Sequence, residues 1–222
     1  MSAGNEGSVR AILYALGANF GIAVAKFGAA WWTNSGSMLA EAIHSTADCV
    51  NQLLLLLGMR EARRPESVDH PLGYHRVTYF WSMIVALLLF FMGGAFSVYE
   101  GIERLRHPHA LENGLVALIV LGVAVVLEAF SLAGAMREIR KTARGKPFLR
   151  WFRETRESEL MVVAGEDIAA LAGLTLAFGA VAATLLTGNP MWDALGTLSV
   201  GVVLMVIAVL VMIEVKGLIV GE

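Results

Sequence analysis

The stretch EAIHSTADCVNQLLLLLGM, residues 41–59, places three ionisable side chains at the start of one of the most apolar segments of the chain. These side chains are Glu41, His44 and Asp48. About 20 mainly apolar residues are enough to cross ~30 Å of hydrocarbon as a helix. An ionisable residue inside such a segment normally faces a partner or a water-filled cavity, because its insertion into lipid is costly. The stretch therefore predicts a membrane-spanning helix with buried polar groups.

The composition of the whole chain supports this interpretation. Of the 222 residues, 57% are hydrophobic and 16% are charged, whereas a soluble domain has about 25% charged residues. The net charge of −2 indicates no class of partner, and a single cysteine, Cys49, excludes an internal disulfide. We expect an all-α membrane protein in which residues 1–222 form one six-helix transmembrane domain. Its predicted spans cover residues 12–32, 38–59, 77–99, 114–136, 160–186 and 191–215.

The distribution of Lys and Arg predicts the orientation of these spans. Fourteen of the 17 basic residues lie in the terminal segments and in the loops after the second and fourth spans. Only Arg104 and Arg106 lie on the opposite side, and Lys26 lies within the first span. The positive-inside rule then places both termini in the cytoplasm. The basic segment KPFLRWFRETR, residues 146–156, is interpreted as lying along anionic lipid headgroups rather than as a nucleic-acid surface.

Acidic residues on three spans are predicted to lie near one level of the membrane. At a rise of ~1.5 Å per residue, Asp48, Glu128 and Asp167 fall at similar depths. His44 precedes Asp48 by four residues, so the two share one helix face. An imidazole and a carboxylate on one face suit zinc or a related metal. A polar network that only fixes helix packing is the alternative.

Other buried polar residues are assigned by the same reasoning. Lys26 and Glu41 lie at matching depths, and a structural ion pair between the first two spans is favoured for them. Glu128 and Glu166 stay open between a functional and a packing role, and Asn19 and Asn51 are interpreted as packing residues. His70 and His75 could form a cytoplasmic accessory metal site, although a purely structural loop is favoured there.

Four motifs carry a resemblance to a known family. In order, they are GSMLAEAIHSTADCVNQLLLLLG, DHPLGYHRVTYFW, YEGIERLRHP and GEDIAALAGL. Together they resemble the second helix, the following loop, the end of the third helix and the fifth helix of the cation diffusion facilitator transporters. The segment EDIAAL is similar to the branch that includes the vertebrate zinc transporter nine-like proteins.

The resemblance implies a function and a site. Members export divalent transition metals, usually in exchange for protons, through a site with two ligands from the second helix and two from the fifth. His44, Asp48 and Asp167 match three of these positions, and the first two would also carry the coupled protons. The fourth position falls on Val163, which cannot ligate a metal, so Glu166, Glu128 or water would complete the site. Zinc is the favoured substrate, with iron, manganese, cobalt and cadmium as alternatives.

The resemblance also implies partners and a location. Family members are generally homodimers, and the small residues of the third and sixth spans would permit close packing between copies. They sit in a membrane as multi-pass proteins, which in a bacterial cell would be the inner membrane. Most continue into a cytoplasmic metallochaperone-like domain, which would begin where this sequence ends. Either the protein lacks that domain or the sequence is part of a longer chain.

Two other classes of function remain as alternatives. A membrane metal sensor or scaffold would bind a metal without moving it. An intramembrane metal-dependent hydrolase would need a general base, and the HExxH motif is absent from the sequence. We therefore expect a transporter that is not an enzyme and that has no organic cofactor.

Overall fold

The computed structural model describes residues 3–66, 71, 73–74, 76–143, 145–155 and 158–221, except for the side chains of residues 3–15, 18, 138, 141, 142 and 159. Every regular element within these residues is helical, as expected for an all-α chain. The elements, in chain order, are α1 (Ala3–Thr33), α2 (Gly36–Ala62), α3 (Val77–Leu88), a π-helical segment (Leu89–Ala95), α4 (Phe96–Arg106), α5 (Gly114–Ala143), α6 (Phe148–Glu154), α7 (Ser158–Thr187) and α8 (Met191–Val220).

Four of the described helical stretches are long and apolar enough to cross a membrane. They are Val77–Arg106, Gly114–Arg137, Leu160–Thr187 and Met191–Val220. These carry the third to sixth predicted spans. The first two predicted spans lie in α1 and α2, which have 31 and 27 residues. Polar residues in the first half of α2, including Glu41, His44 and Asp48, lower the apolar character of that helix.

The core of the bundle lies where α2, α5, α7 and α8 meet. Its fully buried members include Met38, Leu121, Leu174 and Leu204, one from each of these helices. The helix pair α7 and α8 packs together most extensively, and α1 packs along α2. This arrangement places the polar half of α2 beside α1 and α7.

The third and sixth predicted spans pack closely against each other within the chain. A Cβ added at Gly94 would lie 2.3 Å from Met205 Cγ, and one at Gly201 would lie 2.6 Å from the backbone nitrogen of Val98. A Cβ at Gly101 would lie 2.6 Å from the backbone nitrogen of Leu198. The small residues that were expected to form a surface between two copies are therefore used inside one copy.

A π-helical segment interrupts the third predicted span, which the sequence analysis treats as one regular helix. Gly93 and Gly94 lie inside the π-helical segment and are buried. The hydroxyl of Ser97 donates a hydrogen bond to the carbonyl oxygen of Gly93. Such π-helical turns frequently occur at functional sites, and this one lies against α2 and α8.

A polar cluster joins the beginning of α2 to the beginning of α8. The Asp193 carboxylate accepts hydrogen bonds from Ser35 Oγ at 2.7 Å and from the backbone nitrogen of Gly36 at 2.7 Å. Arg104 Nη1 lies 4.0 Å from Asp193 Oδ2, and Arg104 Nε donates to Glu100 Oε1 at 2.7 Å. Because the first backbone N–H groups of a helix lack intrahelical acceptors, Asp193 completes the start of α2. The sequence analysis did not single out this residue.

The basic loop contains the short helix α6, which the sequence analysis does not predict. Trp151 of α6 is buried against Ile139 and Ala164 and anchors the helix to α5 and α7. On the exposed side, Arg150 and Lys146 donate hydrogen bonds to Glu154 and hold the pKa of that carboxyl at about 2. Glu154 is therefore ionised throughout the neutral range.

Candidate metal site

A cavity of about 150 Å³ lies between α1, α2, α5 and α7. Four carboxylates from three helices line it: Asp48 from α2, Glu128 from α5, and Glu166 and Asp167 from α7. The structure thus brings Asp48, Glu128 and Asp167, which helix rise predicts to lie at similar depths, together around one space. Other lining residues are Asn19, Ile22, Lys26, Ser45, Gln52, Ala124, Leu127, Ser131 and Val163.

Two of these carboxylates have polar partners on neighbouring helices. The Ser131 hydroxyl lies 3.3 Å from Asp167 Oδ2 and 3.4 Å from Asp167 Oδ1, and donates a hydrogen bond to the carboxylate. Asn51 Nδ2 donates to Glu166 Oε1 and joins α2 to α7. Ser131 was missed by the sequence analysis, although it follows Glu128 by three residues and so lies on the same face of α5.

His44 is buried but does not line the cavity. Its Nδ1 lies 3.7 Å from Asp48 Oδ1 across one turn of α2. Neither ring nitrogen has a hydrogen-bond partner within the described structure. A Cβ added at Gly93 would lie 3.5 Å from His44 Nδ1, so the ring lies beside the π-helical segment. His44 therefore lies next to one lining carboxylate while its ring packs outside the cavity.

Lys26 and Glu41 lie within contact distance, as expected for an ion pair. Lys26 Nζ is 3.2 Å from Glu41 Oε2 and 2.7 Å from Ser45 Oγ. Both charged side chains are buried, and the contact joins α1 to α2. Asn19, interpreted from sequence as a packing residue, is one of the residues that line the cavity.

The carboxylates surround the cavity but do not converge on a single coordination point. Among the residues that the structure describes, no three His, Cys, Asp or Glu side chains are close enough to hold a metal ion. Val163 lines the cavity and presents an apolar side chain there. The ligand roles expected for His44, Asp48, Asp167 and Glu166 stay predictions. His70 and His75, the suggested accessory site, lie outside the described residues.

Comparison with known proteins assigns the chain to a family. The family model for the cation efflux transmembrane domain matches residues 12–219. The chain belongs to this cation efflux family, and the resemblance to the cation diffusion facilitators is confirmed. The assignment, together with the four long apolar helices, indicates a multi-pass membrane chain of a transporter family rather than an enzyme.

Several relatives are similar over most of the chain. The protein from Xenopus laevis named proton-coupled zinc antiporter SLC30A9, mitochondrial, is 41% identical over 178 residues, covering 79% of this chain and 32% of the relative. The Homo sapiens protein of that name is 38% identical over 178 residues, covering 79% and 31%. Metal tolerance protein C4 of Arabidopsis thaliana is 34% identical over 208 residues, covering 92% and 45%. The chain thus spans about a third of the length of the antiporters that it matches, and the similarity confirms the zinc transporter nine-like branch.

Proposed function

We propose that the chain moves divalent transition-metal cations across a membrane, with zinc as the preferred substrate, in exchange for protons. The observation that carries the proposal is the cavity into which α2, α5 and α7 bring four carboxylates. Buried carboxylates are costly without a compensating cation, and polar or ionisable groups inside a membrane usually mark a transport pathway. The proton-coupled zinc antiporters among the relatives support the choice of zinc and of protons.

The proposed binding event draws Asp48 and Asp167 toward one cation, with Glu166 or Glu128 as a further ligand. Metal ligands must be deprotonated, so metal entry displaces protons from these groups and protonation releases the metal. His44 would join by rotating its ring from the π-helical segment toward the cavity. Its two ring nitrogens make no hydrogen bond within the described structure that such a rotation would break.

The proposed topology has six spans, with α1 and α2 crossing the membrane alongside the four more apolar helices and with both termini in the cytoplasm. Close packing of α1 on α2 and of α2 on α7 supports it, because the polar residues of α2 then face protein rather than lipid. We also propose a homodimer as the functional unit, on the basis of the family resemblance. A bacterial chain of this kind would lie in the inner membrane.

Flux measurements on the purified chain in proteoliposomes test the proposed function. Vesicles with an acidic interior, loaded with a metal-sensitive dye, should accumulate zinc more rapidly than vesicles without a pH gradient. Removal of the pH gradient with a protonophore should slow zinc uptake to the rate seen in vesicles without a gradient. Parallel assays with manganese, iron, cobalt and cadmium would rank the substrates. Zinc binding without flux would favour a metal sensor or scaffold instead.

A further inference from the structure

Lys26 contributes a basic side chain to the wall of the carboxylate cavity. The residue is 3% exposed and lines the cavity together with Asp48 and Glu128. Among the described lining residues, Lys26 is the basic one. The cavity that is proposed to bind a divalent cation is therefore lined by a basic side chain as well as by carboxylates.

An unrestrained lysine would compete with the metal. The ammonium group sits on a flexible four-carbon stem and can donate three hydrogen bonds. Ser45, which it contacts, lies three residues before Asp48, about one helical turn away along α2. A tethered group of this kind has an effective concentration of the order of millimolar at nearby sites. Carboxylates that attract zinc would therefore also attract the free ammonium.

Glu41 and Ser45 both contact the Lys26 ammonium group. Glu41 is fully buried, and its Oε2 lies 3.2 Å from Lys26 Nζ, while Ser45 Oγ lies 2.7 Å away. Space for the glutamate exists because α7 has a glycine opposite: a Cβ added at Gly173 would lie 2.6 Å from Glu41 Oε1. Breaking a buried ion pair leaves an uncompensated charge, so the contact holds the ammonium persistently on the α2 side of the cavity.

We propose that Glu41 and Ser45 are positioning residues that hold the Lys26 ammonium away from the cavity carboxylates and so keep the cavity free for a divalent cation. The inference rests on the proposed function. It goes beyond an ion pair that only joins α1 to α2, because such a pair would affect folding stability without affecting the metal affinity of the folded chain.

A double-mutant cycle on zinc affinity tests the proposal. The dissociation constant for Zn²⁺ is measured by equilibrium dialysis at fixed pH for the wild-type chain, Glu41→Gln, Lys26→Met and the double variant. If the released lysine occupies the carboxylates nine-tenths of the time, Glu41→Gln should weaken zinc binding about tenfold. Lys26→Met should reverse that loss in the Glu41→Gln background and raise affinity by a clearly smaller factor in the wild-type background. Glu100→Gln removes one of the partners of the buried Arg104 and lies outside the cavity lining, so it should leave the dissociation constant unchanged.

Two outcomes would overturn the proposal. If Lys26→Met improves affinity by the same factor in both backgrounds, the charges act independently. If the variants lower the melting temperature but leave the dissociation constant unchanged, the ion pair is only structural. Should Glu41→Gln fail to fold, the same cycle with Ser45→Ala in its place gives the same test, because it removes the second contact without changing charge.

The same measurements separate this inference from the proposed function. A wild-type chain that binds no Zn²⁺, or whose binding is unaffected by Asp48→Ala, would overturn the proposed function and the inference with it. A wild-type chain that binds Zn²⁺ in a manner dependent on Asp48, but whose cycle is additive, would overturn the inference alone.

Discussion

At the residue scale, the cavity brings together carboxylates from α2, α5 and α7. The rise of a helix suffices to place Asp48, Glu128 and Asp167 at one level, and all three line the same cavity. The His44 ring packs beside the π-helical segment. No local sequence pattern predicts that segment, so the direction of the ring could not be predicted either. Ser131 was missed because a serine in an apolar helix commonly bonds to its own backbone.

The first prediction concerns Ser131. Its hydroxyl contacts both oxygens of Asp167 and orients that carboxylate toward the cavity. Residues that orient a metal ligand typically change metal affinity 10–100-fold when they are lost. Because the contact is long, we expect Ser131→Ala to weaken zinc binding by about tenfold, the lower end of that range. Ser199→Ala is the matched control, since Ser199 on α8 donates only to the Leu195 carbonyl. Equal zinc affinity in the two variants would exclude an orienting role.

The second prediction concerns Val163, which lines the cavity one turn before Asp167. Val163→His would place an imidazole there and move the donor set toward the nitrogen ligands that zinc prefers over manganese. We expect the ratio of zinc to manganese affinity to rise about tenfold or more, which is the effect of one added ligand worth ~1.4 kcal/mol. Competition titrations with both metals measure this ratio. An unchanged or lowered ratio would mean that residue 163 does not face the bound metal.

At the element scale, apolar runs predict the long helices, and five of the six predicted spans each lie within one helix, whereas the third runs through α3, the π-helical segment and α4. The π-helical segment Leu89–Ala95 and the short helix α6 were missed, because both depend on contacts made elsewhere in the fold. The glycines of the third and sixth spans were recognised as sites of close packing. They were expected to pack between two copies of the chain, whereas they pack within one copy. Small residues indicate that two helices pack closely, but they do not indicate whether the second helix belongs to the same chain or to another copy.

The third prediction tests this intramolecular contact. A Cβ at Gly101 would lie within 3 Å of the backbone of Leu198, so Gly101→Ala forces α4 and α8 apart. We expect a loss of about 1–3 kcal/mol in the free energy of unfolding, as in overpacked cores. Gly179→Ala is the control, because a Cβ there meets nothing within 4 Å. Thermal unfolding in detergent should show a lowered melting temperature for Gly101→Ala only, and equal temperatures would contradict the packing.

At the scale of the whole molecule, the family resemblance predicts a homodimer. Because the glycines at the α4–α8 contact are occupied within one copy, the interface would use larger apolar side chains on the outer surface. We expect light scattering in several mild detergents to give the mass of two protein copies, and Gly179→Ala to keep that mass. A single-copy mass in every detergent would contradict the prediction.

The proposed function requires that Asp48 and Asp167 bind the metal as it crosses the membrane. Its most direct test is the initial rate of zinc uptake into proteoliposomes with an acidic interior, for Asp48→Ala, Asp167→Ala and the control Glu214→Gln. Glu214 is an acid of α8 that does not line the cavity. We expect both aspartate variants to take up zinc at the rate of protein-free vesicles, with folded protein confirmed by size-exclusion chromatography. The control should take up zinc at the wild-type rate. Wild-type uptake by either aspartate variant would contradict this requirement.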